Sequence, residues 1–212
     1  MVPHLKKAWI LVLLPVFLGL VSCPFSPDKT GGPPDDPVVT EYKPQVTISN
    51  VLHNLKLAYE QMKYEEYAKL LDDSFRFRFD PRDVGEDKPW GEAEWGKGEE
   101  LDSARNMFGG QPNLNGLIVD RIKLTFEPGT PEPSVENDQW QQVLLTAVDL
   151  KLEATEQLTG DEWTIQTPGN YEALFHFIQT DEIDPGTSAN IWKIAMWVDK
   201  PPQGKRTLLA QD

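Results

Sequence analysis

The chain has one cysteine, Cys23, among 212 residues. It can form no internal disulfide, so its core must supply the stability. Histidine is nearly as scarce, with three in all. His4 lies in the N-terminal segment, and no H-x-x-x-H spacing joins His53 to His176, so no metal or other cofactor is expected. Basic residues are outnumbered, 20 Lys+Arg against 34 Asp+Glu, which gives a net charge of −14. Phosphate backbones are repelled by such a surface, so nucleic acid is disfavoured as a partner. The longest apolar run, AWILVLLPVFLGL, is shorter than the about 20 residues a membrane span needs, and Pro15 interrupts it. The sequence has no G-x-S-x-G elbow and no P-loop. TDEIDPG lacks the ligand spacing of a calcium loop and reads as a solvated turn. WGKGEEL sets glycines before a helix, as phosphate cradles do, but Glu99 and Glu100 would repel the anion.

What is present begins with an address. Lys6 and Lys7 precede the apolar run, and small residues follow it, the pattern of a secretory signal peptide over residues 1–22. Leu20, Val21, Ser22 and Cys23 resemble the lipobox of bacterial lipoproteins. The resemblance implies that Cys23 is lipidated on sulfur, becomes the mature N-terminus and is acylated on its amine as well. One acyl chain binds a membrane marginally, at about 0.8 kcal/mol per buried methylene, whereas several hold nearly permanently. The membrane partner is therefore engaged through Cys23. Loss of Lys6 and Lys7 makes the mature chain more acidic still, so no basic patch assists. Pro24 is not the aspartate that often retains lipoproteins in the inner membrane, which favours the periplasmic side of an outer membrane. Residues 23–45, rich in Pro, Gly and Asp and without helical or strand period, read as the lipidated cysteine and a tether.

Residues 46–200 form one domain's worth of chain, with residues 201–212 as a tail. Val51, Leu55, Ala58 and Met62 fall on one helical face, with Ser49 or Asn50 as the cap. Tyr64, Tyr67, Ala68 and Leu71 share one side of a second, shorter helix. A third runs through GEELDSARNMFGG, with Gly109-Gly110 as its stop. FRFRF reads as a short strand, and IVDRIKLTF, VDLKLEA, YEALFHFIQ and NIWKIAMWV as long ones. EPGTPEPSVEND and LTGDEW read as turns between them. Helices gathered before antiparallel strands predict an α+β fold with the helices on one face of the sheet.

The opening helices, the Asp-Asp-x-Phe of DDSFRFRFDP, the third helix and the strand run resemble the nuclear transport factor 2-like superfamily, with its ketosteroid isomerase-like and SnoaL-like members. That implies a cone: a curved antiparallel sheet wrapped around the N-terminal helices, with a pocket at the wide end. In ketosteroid isomerases a similar Asp-Pro carries the general base, which points to Asp80. The donors that assist it do not carry over, because Asn54 stands at the helix position and Phe175 at the acid's place. A strand-end cap is the alternative role for Asp80. His176, between Phe175 and Phe177, points to the opposite sheet face and reads as a sheet histidine, exposed or hydrogen-bonded. His53 reads the same way on its helix. Trp90 and Trp95 lie in the Gly-rich PWGEAEWGKG. Trp192, Ile194, Met196 and Val198 are expected on one face of the last strand, and Trp197 on the other. Pocket candidates are Tyr59, Asp80, Trp90, Trp95, Phe175 and Trp192. The expected function is non-catalytic binding of a small apolar ligand or an envelope protein by a monomer or homodimer. The alternatives are an isomerase-, dehydratase- or hydrolase-type enzyme using Asp80, and a purely structural envelope protein.

Overall fold

The computed structural model describes residues 41–85, 92–113, 115–167 and 171–200. All belong to the second of two compact units, residues 39–212. The lipobox Leu20, Val21, Ser22 and Cys23, the C-terminal tail and Trp90 lie outside the described residues.

Helix α1 (Ile48–Glu60) buries Val51, Leu55 and Ala58, as their spacing predicts. Its cap is Thr47 rather than Ser49 or Asn50: the Thr47 hydroxyl accepts the Asn50 N–H at 3.1 Å. Met62 lies beyond the helix, in the left-handed region at φ 50, and lets the Lys63 N–H reach the Ala58 carbonyl at 2.8 Å. Helix α2 (Tyr64–Leu70) ends one residue before Leu71, which instead opens strand β1 (Leu71–Arg78). A short 3₁₀ turn (Pro81–Asp83) and strand β2 (Glu94–Gly96) lead to helix α3 (Lys97–Phe108). Glu99 reaches back to accept the Gly96 N–H at 3.0 Å and secures the start of α3. Its end needs glycine, because a Cβ on Gly109 would stand 2.6 Å from the Arg105 carbonyl oxygen.

The remaining strands are β3 (Leu117–Pro128), β4 (Glu132–Pro133), β5 (Trp140–Glu156), β6 (Glu162–Gln166), β7 (Tyr171–Ile183) and β8 (Asn190–Lys200). The sheet runs β2-β1-β8-β7-β5-β3, with β4 and β6 also paired to β5. Its pairs are antiparallel except β1 with β8, which run parallel with Phe77 opposite Trp197. The helices pack on one face, α1 against β3 and β8, and α3 against β1 and β3. The result is the expected mixed α+β fold, a curved open sheet around a few helices.

Two extra residues shape the sheet. In β5, Val143 and Leu145 face the core, then Ala147 adopts φ 48 and the pairing with β7 shifts, so that Val148 and Ala154 face the core instead. The bulge flips the alternation and bends the strand. It also explains why β5 extends well before the predicted VDLKLEA: its two halves alternate out of phase. In β8 the register with β7 shifts between Ile194 and Met196. Trp197 therefore joins Trp192 and Ile194 on the core side, while Met196 turns to the face of His176, which corrects the expected grouping. That outer face is covered in turn. His176 is fully buried, its Nδ1 is 2.7 Å from the Ser134 hydroxyl, and Arg78 links Glu94 to Glu136 across it.

The segment Glu41–Gln45, expected as the end of the tether, belongs to the domain. The side chain of buried Asn54 accepts the Lys43 N–H at 2.8 Å and donates to the Lys43 carbonyl at 2.7 Å. The Gln45 carbonyl accepts the Trp192 N–H at 2.7 Å. Asn54→Ala should therefore destabilise the full chain by about 1–3 kcal/mol, the cost of a lost buried amide pairing. The same change should cost much less in a chain beginning at Val46, where Lys43 is already gone. Urea unfolding of the four proteins measures this, and equal costs in both backgrounds would refute the tie.

Candidate functional site

A cavity of about 330 Å³ lies beneath the first half of α1. Ile48 and Leu52, one turn apart on α1, form one apolar wall, and Phe126 and Val143 form the other. Pro128, Gly129 and Pro131 close the end where β3 turns toward β4. Glycine suits this close approach, since the Gly129 N–H donates to the Leu144 carbonyl at 2.8 Å and a Cβ would stand 3.0 Å from that oxygen. Among the described residues the polar side chains of the lining come from α1: Ser49, His53 and Lys56, at helical spacing along one ridge. The His53 ring donates from Nε2 to the Glu41 carbonyl at 3.1 Å, which fixes its orientation. A largely apolar cavity with a few polar groups on one wall is the usual form of a small-molecule site.

The sequence-predicted candidates sit elsewhere. Asp80 lies two residues past β1, is 4 % exposed, and caps the 3₁₀ turn by accepting the Arg82 N–H at 2.9 Å. Its second oxygen pairs with Arg82 Nε at 2.8 Å. Trp95, Phe77, Trp197 and Phe175 lie opposite one another across β2, β1, β8 and β7. Successive ring centroids in this row are 5.6, 5.3 and 4.6 Å apart. Phe175 is buried beneath Trp197, and Trp192 packs at the margin of the core. Tyr59 is buried and meets Tyr67 and Phe108 edge-on.

Beside Tyr59 lies a polar group not anticipated from the sequence. Glu100, on the first turn of α3, is buried, and its carboxylate accepts a short hydrogen bond from the Tyr67 hydroxyl. Burial raises its pKa, while the Tyr67 hydroxyl and the Trp95 indole pull it down. Burial likewise raises Tyr59 and Tyr67, both helped by the neighbouring Glu100 charge. This cluster joins α1, α2 and α3, and all three of its members are buried. In the sequence Glu100 is one of two acids opening a helix, a pattern that carries no sign of burial. The cavity residues were also missed, although Ser49, His53 and Lys56 at i, i+4 and i+7 mark a polar ridge beside Ile48 and Leu52. Among the described residues no group of three or more His, Cys, Asp or Glu is placed to hold a metal ion, and no helix is long and apolar enough to cross a membrane.

No protein-family model matches the sequence, and no curated protein matches it. Solved structures of similar shape include a ketosteroid isomerase-like protein from Erwinia carotovora, 15% identical with a TM-score of 0.43, covering 73% of this chain and 92% of that one. An NTF2-like protein of unknown function in nutrient uptake from Rhodospirillum rubrum is 13% identical, with a TM-score of 0.43 and coverage of 74% and 98%. A protein of the NTF2-like family from Streptomyces avermitilis is 16% identical, with a TM-score of 0.44 and coverage of 74% and 95%. This likeness concerns fold and transfers no residue role or activity.

The Glu100 cluster yields a pH prediction. A carboxyl raised above its ordinary 4.5 keeps a proton in the folded chain that the unfolded chain releases. Stability from this group is therefore full below 4.5 and falls as pH rises through the raised value. Glu100→Gln removes the proton linkage, so its stability relative to wild type should increase with pH across that window. Urea unfolding of both proteins over the same pH series checks this, and a difference independent of pH would contradict the assignment.

Proposed function

We propose that this domain is a non-catalytic binding module for a small, mainly apolar ligand, carried on a bacterial lipoprotein. Its seat is the cavity between α1 and the β3–β5 side of the sheet, and that cavity is the observation carrying the reading. Its volume lies at the lower end of the roughly 300–1,000 Å³ usual for small-molecule sites, and its walls are mostly apolar side chains. Asp80 speaks for binding rather than proton transfer there. Both its carboxylate oxygens are engaged by Arg82 and the following turn, away from the cavity lining. The lipid on Cys23, and a place on the outer side of the cytoplasmic membrane, rest on the lipobox resemblance and the signal peptide.

Two outcomes are expected. Cys23→Ala should abolish labelling with a clickable palmitate and leave unprocessed precursor, whereas unchanged labelling would end the lipoprotein reading. Mass spectrometry of small molecules released from the protein purified from membranes should find a species enriched with wild type and depleted with Ser49→Trp. That change fills the cavity mouth from an exposed helix position, so it should spare the fold. Equal recovery from both would place the ligand, and the function, elsewhere. Asp80→Asn should leave the recovered species unchanged, since a proton-transfer role would demand the ionised carboxyl.

A further inference from the structure

We infer that the ligand is a small amphipathic anion: an apolar body in the cavity with one negatively charged group held at the Lys56 end. This rests on the cavity being the binding site, as proposed above, and adds what the site selects.

The distribution of charge carries the inference. The chain bears 34 acidic residues, yet among the described residues none lines the cavity. Among the described residues the one formal charge in the lining is the Lys56 ammonium. Its nearest carboxylate, Glu60, is 3.9 Å from Nζ, and the two side chains are 46% and 32% exposed, an arrangement worth little and easily exchanged for a ligand anion. Ser49 and His53 extend the same ridge, so among the described residues every polar side chain of the lining is on α1, facing apolar residues of β3 and β5. A wholly apolar ligand would leave that ridge in contact with it, at the desolvation cost of polar groups left without partners. A cation would meet Lys56 directly. An amphipathic anion satisfies both walls at once. The surrounding net charge of −14 repels anions at long range, so selection must come from the short-range contact. Added salt screens that long-range repulsion as well as the Lys56 contact, so its two effects on anion binding oppose each other.

The test uses two fluorescent probes that share a ring system, 8-anilinonaphthalene-1-sulfonate and the uncharged N-phenyl-1-naphthylamine. They are titrated into the full chain carrying Cys23→Ser, which has no acyl chain; the apolar N-terminal run it keeps is common to every variant, so binding is read as differences between variants. The expected result is tighter binding of the sulfonate. Lys56→Met should weaken it about three- to fivefold, as for a partly exposed ion pair, and leave the neutral probe unchanged. Lys56→Glu should weaken the sulfonate further, Lys56→Arg should restore it, and Ser49→Trp should weaken both probes. If Ser49→Trp weakens both probes but Lys56→Met moves neither, the inference is overturned while the cavity remains the site. If Ser49→Trp moves neither probe, or neither probe binds, the inference and the binding reading fall together. Circular dichroism of each variant confirms that the fold is retained, and the neutral probe reports the cavity where charge is altered.

Discussion

The phase of the inner sheet face is the constraint on which the rest depends. A strand offers alternate residues to alternate faces, and a long strand that must stay against a helix while the sheet curls has to change step. The extra residues at Ala147 and between Ile194 and Met196 make that change in β5 and β8. Without the first, Val143 and Leu145 could not share the core with Val148 and Ala154. Without the second, Trp197 would leave the aromatic row that links β2 to β7. The curl brings Phe126 and Val143 opposite Ile48 and Leu52, and so creates the cavity.

Polar groups inside this framework divide into two kinds. Asn54, His176 and Glu100 are buried and joined to partners that hold separate elements together. Ser49 and Lys56 are exposed along the cavity ridge and less committed. The first kind fixes geometry, because an unpaired buried polar group costs more than its bond returns. The second kind is open to exchange with a ligand. His53 stands between them, a cavity wall whose ring is already held by a backbone carbonyl.

Much of the fold was legible because period and punctuation agreed. The α1 face, the glycine stop after α3 and the alternating strands all follow from spacing that neighbouring structure did not override. What escaped did so for physical reasons. The first half of β5 is out of step with the second, so no single alternation spans both. The strand β6 lies entirely exposed, and its first two residues, Glu162 and Trp163, read in the sequence as the end of the turn LTGDEW. Glu100 looks like any acidic residue opening a helix, and only the packing of Tyr67 and Trp95 makes it a buried one. The aromatics and the carboxyl that the sequence offers as pocket candidates mostly complete the core, whereas the cavity is built from ordinary helix positions and a proline-flanked turn. Asn54 marked the absence of a catalytic donor, and its actual partner, Lys43, lay in a segment without any period.

That partner gives the leading segment a mechanical meaning. From Glu41 to Gln45 the chain is fastened to α1 and β8 by successive contacts: Glu41 to His53, Lys43 to Asn54, Pro44 to Asn50, and Gln45 to Trp192. A pull on the chain ahead of Glu41 reaches the Glu41 contact before the others. The outermost of them holds the His53 ring, which is also a wall of the cavity. A pull too weak to disturb the core would therefore act first on the shape of the site.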